Sequence, residues 1–103
     1  MRLATLSDIE IQRELNLLAG WSRKGETLVK VFEFPTFPAG IAWLTRVAAA
    51  AEKANHHPDL DIRYTKIAAQ LSTHDSGGIT ARDFALARAM DELAKVELED
   101  EPA

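Results

Sequence analysis

A chain of 103 residues with 47% hydrophobic composition can bury one core but not two, so we expect a single domain over residues 1–103. The formal net charge of −4 and the pI near 5.3 argue against a generic electrostatic grip on nucleic acid. The absence of cysteine excludes disulfides and thiolate metal sites. The lack of a secretion signal or of a run of about 18 apolar residues predicts a soluble, cytoplasmic protein without a membrane partner.

The first part of the chain predicts a helix followed by a hairpin. Ser7 and Glu10 have the spacing of a capping box. Apolar residues then recur at helical spacing: Ile11, Leu15 and Leu18. We therefore expect a first helix that ends at Gly20. In the segment 21–34, Gly25 can form a tight turn and is followed by several Val and Phe residues, which predicts two strands.

The middle of the chain predicts a long helix over residues 37–54. Its apolar residues recur every three or four positions: Phe37, Ile41, Leu44, Ala48 and Ala51. Pro38 is tolerated in a first helical turn, and Asn55 suits the left-handed conformation in which many helices end.

Alternation with a period of two returns after Pro58 and predicts a second hairpin. In its first strand the residues expected on one face are Leu60, Ile62 and Tyr64. In its second strand they are Ile67, Ala69, Leu71 and Thr73. The turn between the strands lies near Thr65, although neither Gly nor Asn is present to form it.

The last predicted element is a helix that begins after Thr80, which has capping spacing to Asp83. Its apolar stripe consists of Phe84, Ala87, Met90 and Ala94. We expect this helix to end near Val96 and the acidic residues 97–103 to form a frayed tail.

The resulting order is αββαββα, which indicates an α+β fold. Two hairpins separated by a helix favour one four-stranded antiparallel sheet with the helices packed on one face. We expect Trp43, Met90 and the phenylalanines to lie in the core of this domain.

All three histidines of the chain, His56, His57 and His74, lie in one short window of the sequence. If the third and fourth strands pair, the start of one lies beside the end of the other, so the histidines share one end of the sheet. Imidazoles ordinarily titrate at about pH 6.5, so one can donate a proton while another accepts one. The cluster therefore indicates a general acid/base site, although single histidines at the ends of elements are often only surface residues or helix caps.

A zinc site built from the three imidazoles is an alternative. Adjacent residues of an extended chain point to opposite faces, so His56 and His57 are poorly placed to bind one ion, and the H-E-x-x-H spacing is absent. We therefore expect no metal at this site. The chain also lacks G-x-S-x-G, P-loop and Rossmann glycine patterns, which argues against acyl transfer and nucleotide binding through those motifs.

The histidine window resembles the pterin-4a-carbinolamine dehydratase family. The resemblance is carried by the E-x-x-x-H-H-P motif from Glu52 to Pro58, by Tyr64, Lys66 and Leu71, by Ser72-Thr73-His74, and by Gly78 and Arg82-Asp83 after them. The stretches "GW" at 20 and 21, "FEF" at 32 to 34 and "LTRVAAAAEKA" at 44 to 54 match the same family in the same order. The resemblance covers about residues 15–96, and the combination of motifs is far more specific than any single histidine.

The resemblance implies dehydration of 4a-hydroxytetrahydropterin, the spent cofactor of aromatic amino-acid hydroxylases, to the quinonoid dihydropterin. It implies His56 and His74 as the acid/base pair and His57 as a substrate-binding residue, with a pterin as the small-molecule partner. We expect neither a metal nor an organic cofactor, and we expect no direct contact with nucleic acid. The family also implies a homodimer or homotetramer, and a functional link to an aromatic amino-acid hydroxylase.

Three further residues are candidates for a supporting role. Glu52 can orient an imidazole, although an exposed helix carboxylate is an equal alternative. Asp83 can reach the site through the glycine loop, although its cap role with Thr80 suffices on its own. Pro58 favours an extended conformation for the residue before it. Where the family commonly has an aromatic residue, this chain has Leu60, so a flat pterin ring loses one stacking partner.

A role without turnover is the alternative function. The family includes members that serve as dimerisation cofactors of a transcription factor, and a link to molybdopterin metabolism has been suggested for others. The resemblance therefore also permits a non-catalytic pterin-binding or protein-interaction module, since a fold by itself does not decide function.

Overall fold

The computed structural model describes residues 3–99 of the chain, and for Glu99 the backbone only. The helices are α1 (Asp8–Leu15), α2 (Phe37–Ala54) and α3 (Ala81–Glu99), and the strands are β1 (Ser22–Lys24), β2 (Thr27–Glu33), β3 (Asp59–Arg63) and β4 (Lys66–Leu71). Their order is αββαββα, which confirms the predicted α+β fold. Over this described range, no helix is both long enough and apolar enough to cross a membrane.

The strands form one antiparallel sheet in the order β1-β2-β4-β3. β4 lies between β2 and β3, with Leu71 opposite Leu28 and Gln70 opposite Asp59. This register confirms the second hairpin. Because Asp59 begins β3 and Leu71 ends β4, the residues just before β3 lie at the same end of the sheet as the residues just after β4.

The helices cover one face of the sheet and bury the core between them. Alternate residues of the two central strands face the helices and are buried: Leu28 and Phe32 in β2, and Ile67, Ala69 and Leu71 in β4. Trp43 of α2 lies at the centre, with ring centroids 4.5 Å from that of Phe32 and 5.1 Å from that of Phe34. Its indole N–H donates to the carbonyl of Met90 at 3.0 Å, which ties α2 to α3 inside the core.

The predicted core is confirmed except at one phenylalanine. The side chains of Trp43, Met90, Phe32, Phe34 and Phe84 are buried. Phe37, in contrast, is 44% exposed, and its prediction as a core residue was wrong. Phe37 is the first residue of α2, and the later turns of the helix carry the residues that pack on the sheet. The buried face of α2 consists of Gly40, Trp43, Val47 and Ala51, so the predicted apolar stripe was wrong except at Ala51.

The start of α1 is as predicted, but its end is not. The backbone N–H of Ser7 donates to Glu10 Oε1 at 2.9 Å, and the N–H of Glu10 donates to Ser7 Oγ at 3.2 Å, which is the capping box. The helix ends at Leu15 rather than at Gly20. The next residues wind more tightly, because Leu18 N–H donates to Leu15 O instead of to a carbonyl four residues back. Helical spacing therefore continues beyond the α-helix, and Leu18 is still buried.

The long helix α2 has the predicted bounds. The Thr36 hydroxyl accepts from the N–H of Ala39 at 3.2 Å and caps its start. Asn55 ends it in the left-handed conformation, with φ +51°. This reversal sends the chain out of the helix at the point where His56 follows.

The second hairpin turns at Tyr64 and Thr65. Tyr64 has φ +55° and forms the turn. It does not continue the strand face of Leu60 and Ile62, so the predicted place of Tyr64 on that face was wrong. Thr65 holds the turn to the rest of the sheet, because its carbonyl accepts from the N–H of Phe34 at 2.9 Å. A non-glycine residue in this conformation explains why the turn had no sequence signal.

The end of α3 also differs from its prediction. The helix continues past Val96 to Glu99, so residues 97–99 are helical and not a frayed tail. Glu97 forms an ion pair with Arg46 of α2, which gives the last turn a tertiary partner. The remainder of the predicted acidic tail, residues 100–103, lies outside the described residues.

Candidate active site

His56 is held at the junction between α2 and β3. Its backbone N–H donates to the carbonyl of Ala51, and only 8% of the residue is exposed. The imidazole Nε2 lies 2.6 Å from Oδ1 of Asp83, which belongs to the first turn of α3. A contact between residues 27 apart in sequence therefore fixes the ring of His56.

Asp83 is fully buried, and both of its carboxylate oxygens have partners. Oδ1 faces His56, while Oδ2 accepts from the Thr73 hydroxyl at 2.8 Å and from the Thr80 N–H at 2.9 Å. The hydroxyls of Thr73 and Thr80 lie 2.7 Å apart. Since Thr73 donates its proton to Asp83, Thr80 donates to Thr73, and the whole network is satisfied. A buried carboxylate needs this number of donors because its desolvation is costly.

The partners of Asp83 also decide which nitrogen of His56 is available. A carboxylate that accepts at both oxygens takes the Nε2 proton of the neutral imidazole, so Nδ1 is the free ring nitrogen. Within residues 3–99, every fully buried side-chain nitrogen or oxygen has a hydrogen-bond partner. Only Nε2 of His56 has such a partner, so Nδ1 is not fully buried and is accessible from solvent.

His57 lies in a different environment from its neighbour. Its Nε2 is 2.8 Å from Oε2 of Glu52, and the two side chains are 58% and 75% exposed. The predicted supporting carboxylate therefore pairs with His57 and not with His56. Pro58 follows directly and leads into β3, which begins at the next residue.

His74 is exposed and lies just beyond β4. It is the first residue of a short 3₁₀ turn, His74–Ser76, that the sequence pattern did not indicate. Its neighbour Thr73 hydrogen-bonds Asp83, which also binds His56. The segments that carry the three histidines thus meet at one end of the sheet, and Asp83 links two of them.

Arg82 contributes a further contact to this end of the molecule. Its guanidinium donates to the carbonyl oxygens of Ala54 at 3.0 Å and Asn55 at 2.9 Å. These carbonyls belong to the end of α2, so Arg82 fixes the end of α2 against the start of α3. The sequence pattern gives Arg82 and Thr73 no role beyond their place in the family motif, because both contacts are long-range.

Two cavities of the described residues differ in size and in whether a histidine lines them. A cavity of about 740 Å³ lies between β2, the second half of α3 and the segment after α1, and it contains no histidine. His56 lines a smaller cavity of about 170 Å³ between α2 and α3. Ligand pockets typically measure about 300–1,000 Å³. The larger cavity has this volume but no histidine, and the cavity lined by His56 is too small. The open end of the sheet, beside His57 and His74, is therefore the better candidate for a ligand-binding site.

Two expectations about this site stay predictions. In the part of the chain from residue 3 to residue 99, no three His, Asp or Glu side chains are grouped to hold a metal ion. The expectation of a metal-free reaction is not tested by this finding. Leu60, which replaces the aromatic residue common in the family, lies in β3 and is 36% exposed. Its effect on pterin stacking is likewise untested.

Comparison with known protein sequences identifies the family. The family model described as pterin 4 alpha carbinolamine dehydratase matches residues 4–93. A relative from Roseiflexus castenholzii, provisionally named pterin-4-alpha-carbinolamine dehydratase, is 50% identical over 90 residues, which cover 87% of this chain and 97% of the relative. A relative of the same provisional name from Nocardia farcinica is 47% identical over 95 residues, covering 92% and 100%.

Comparison with solved structures agrees. A transcriptional coactivator/pterin dehydratase from Brucella melitensis has a TM-score of 0.85 and 30% sequence identity, and the match covers 87% of this chain and 98% of that one. A pterin dehydratase-like protein described as a RuBisCO assembly factor in the alpha-carboxysome has a TM-score of 0.60 and 27% identity, with 72% and 86% covered. The family match, the near-complete coverage of the relatives and the shared fold lead to one conclusion: the chain belongs to the pterin-4a-carbinolamine dehydratase family.

Proposed function

We propose that this chain dehydrates 4a-hydroxytetrahydropterins to quinonoid dihydropterins. In this reaction the bond between C4a and the hydroxyl oxygen breaks, and the hydroxyl leaves as water after it gains a proton. N5 loses its proton, and a double bond forms between C4a and N5. No oxidant or reductant is consumed, and neither a metal ion nor an organic cofactor enters the proposal. The reaction needs one group that donates a proton and one that accepts one.

The observation that carries the proposal is the buried network around Asp83. It holds the ring of His56 with Nε2 directed inward and Nδ1 open to solvent, and it also holds Thr73, the residue before His74. A fixed imidazole and an exposed imidazole at one end of the sheet suit an acid/base pair acting on a flat ring. We therefore assign His56 and His74 to the two proton transfers.

We assign His57 to substrate binding. Its imidazole is exposed and its Nε2 is paired with Glu52, so Nδ1 can accept a hydrogen bond from an N–H group at the rim of a pterin. The substrate is the spent cofactor that an aromatic amino-acid hydroxylase releases, and the product requires a reductase before reuse. The proposed partner reaction is therefore a hydroxylation that consumes tetrahydropterin.

The test is the rate of loss of 4a-hydroxytetrahydropterin at neutral pH, followed by absorbance. Wild type should accelerate the loss over the protein-free reaction, and His74→Ala should reduce that rate at least tenfold, since acid/base groups contribute roughly 10²- to 10⁴-fold. Because His74 is exposed, the free energy of unfolding should change by less than about 0.5 kcal/mol. Asp75→Ala, at the next exposed position of the same turn, is the matched control and should keep the wild-type rate.

A wild-type rate equal to the protein-free rate would sink the dehydratase proposal. The second candidate, a non-catalytic pterin-binding or protein-interaction role or a role in molybdopterin metabolism, would then take its place. The description of the Brucella melitensis structure as a transcriptional coactivator, and that of the other structure as an assembly factor, favour this alternative. Calorimetry with a tetrahydropterin would separate a pterin-binding module from one that binds protein alone.

We further propose that two copies of the chain associate through β3. This strand lies at the edge of the sheet, and its apolar residues Leu60 and Ile62 are 36% and 42% exposed. An exposed edge with apolar side chains favours pairing with another strand. If two β3 strands pair antiparallel about Asp61, Leu60 faces Ile62 of the second copy and Asp59 faces its Arg63. The like charges of the two Asp61 side chains are offset by Arg63, which already lies 3.3 Å from Asp61.

Light scattering during size-exclusion chromatography tests this association. We expect wild type to be a dimer or a larger oligomer and Ile62→Lys to reduce its mass by at least half, because a buried lysine opposes the pairing. Ile9→Lys is the matched control, since Ile9 is also exposed but lies in α1. A monomeric wild type, or an Ile62→Lys variant of unchanged mass, would contradict the proposed interface.

A further inference from the structure

The loop that carries His74, residues 73–78, is closed by its own backbone. Thr73 N–H donates to Gly78 O at 2.9 Å, and the Thr73 carbonyl accepts from Ser76 N–H and Gly77 N–H at 3.0 Å each. Gly77 has φ +76°, a conformation that glycine adopts without strain. The loop is therefore compact, and its position on the sheet decides where His74 lies.

His74 depends on this loop more than the other histidines depend on theirs. The imidazole of His56 is bound by Asp83 and that of His57 by Glu52. Within residues 3–99, no hydrogen bond or ion pair orients the imidazole of His74. The place of its ring is consequently set by the backbone of the loop.

Residues 3–6, which we name the N-terminal strap, run along the outside of this loop. The Ser76 hydroxyl donates to the carbonyl of Leu3, and the N–H of Leu6 donates to the carbonyl of Ile79 at 2.9 Å. Leu6 also packs against the core, and the capping box of α1 begins at the next residue. The strap thus joins the loop to a fixed part of the fold.

The strap and the β1–β2 turn both approach Gly78 closely. A Cβ on Gly78 would lie 2.7 Å from Oε2 of Glu26 and 3.2 Å from Cγ2 of Thr5. Ser72 is held to the same turn, because its hydroxyl donates to the Glu26 carbonyl at 3.0 Å. Thr5 of the strap and Glu26 of the turn therefore both lie close to the loop at Gly78.

We propose that the N-terminal strap is a positioning element for His74. It acts through Ser76 and Gly78 and holds the loop so that the His74 imidazole faces the substrate bound beside His57. A displacement of about 1 Å in a catalytic group can cost on the order of 10²-fold in rate, so a strap remote from the chemistry can control turnover. The inference rests on the proposed function where activity is the readout, and on structure alone where it is not.

The first test is a deletion of residues 2–5, with Arg2→Ala as the matched control for the lost charge. The deletion should lower kcat at least about fivefold with a smaller change in KM, because binding at His57 is retained. In NMR spectra the imidazole signals of His74 should shift while those of His56 do not. The control should match wild type in both measurements.

A second test disturbs the contact between the strap and Gly78 without removing the strap. Gly78→Ala should lower kcat, because the added Cβ would lie 3.2 Å from Cγ2 of Thr5, whereas the exposed Glu26 carboxylate can turn away. Thr5→Ser in the same chain removes the methyl contact and should restore part of the rate. Rescue by the second substitution distinguishes displacement of the loop from general damage to the fold.

Unchanged kcat and unchanged His74 signals in the folded deletion variant would overturn the proposal. It would also be overturned if the signals of all three histidines changed together with a fall in the unfolding midpoint, since the strap would then support only the fold. If wild type does not accelerate dehydration, the proposed function fails instead. The strap is then judged by the His74 signals and by faster amide exchange of Ser76 and Gly77 in the deletion variant.

Discussion

His56 and His57 are neighbours in sequence and lie in opposite environments. His56 is buried, and its partner Asp83 is fully buried with two further hydrogen-bond donors. His57 is exposed, and its partner Glu52 is more exposed still. The two imidazole–carboxylate pairs have similar distances, 2.6 and 2.8 Å, yet they differ in almost every other respect.

Distance alone is therefore a poor measure of how much an imidazole–carboxylate pair contributes to stability. In a buried network each polar group has been taken out of water, so losing one partner leaves the others unsatisfied at a cost of about 1–3 kcal/mol each. An exposed pair exchanges its partner for water and typically contributes about 0–1 kcal/mol. The buried pair therefore fixes geometry, while the exposed pair leaves its imidazole free to adjust to a ligand.

The largest effect is expected for Asp83→Asn. An amide keeps Thr73 and Thr80 on its one oxygen only if its NH2 group faces His56. Nε2 of His56 must then accept, which moves the ring proton to Nδ1. We expect the free energy of unfolding in urea to fall by about 1–3 kcal/mol and kcat to fall by roughly 10²-fold. Asp75→Asn, at an exposed position, is the control. If kcat stays at the wild-type value while stability falls, Asp83 is only a structural cap and the contrast between the two pairs does not extend to function.

A smaller effect is expected for Glu52→Gln. Water can replace the carboxylate at His57, so the free energy of unfolding should change by less than about 0.5 kcal/mol. The expected change is in KM, because His57 is proposed to bind substrate, with kcat retained within a few fold. Glu92→Gln, in another exposed ion pair, provides the comparison. A loss of kcat as large as that of Asp83→Asn would show that exposure does not separate the two pairs.

The smallest effect is expected for Glu10→Gln, which measures a single exposed hydrogen bond. The backbone N–H of Ser7, followed by its side chain, holds the pKa of Glu10 below its ordinary value of 4.5. The ionised carboxylate therefore stabilises the folded state above that value, and the stabilisation is lost as the pH falls through the lowered pKa. The urea midpoint of Glu10→Gln should lie slightly below wild type at pH 7, and the difference should shrink toward pH 3. A difference that grew on acidification would reverse the assigned direction.

Much of the fold was predictable because its signals are local. The capping box of Ser7 and Glu10, the bounds of α2 and the αL residue Asn55 each depend on residues within one or two helical turns. The same holds for the alternation of β4. The exceptions were also local, but they lacked a sequence signal. Tyr64 forms a turn without being Gly or Asn, and the tight winding after Leu15 imitates helical spacing.

The candidate site was predictable in membership but not in arrangement. The motif placed His56, His57, His74, Glu52 and Asp83 in one region of the chain. It did not indicate that Asp83 would bind His56 while Glu52 binds His57, since Glu52 is closer in sequence to both histidines. Nor did it assign a contact to Thr73 or Arg82, whose partners lie on other elements. Those pairings depend on how α3 packs against the end of α2.

The helices and strands, their order, the buried faces of β4 and α3, and the family could be predicted from the sequence, because periodicity, capping and motif spacing are properties of neighbouring residues. Packing of the helices on the sheet sets which carboxylate meets which imidazole, and which nitrogen of His56 stays open. It also makes β3 an exposed edge and brings residues 3–6 against the His74 loop. The physical reason is the same in each case: burial and long-range hydrogen bonds exist only once the helices and the sheet have packed, so no local pattern records them.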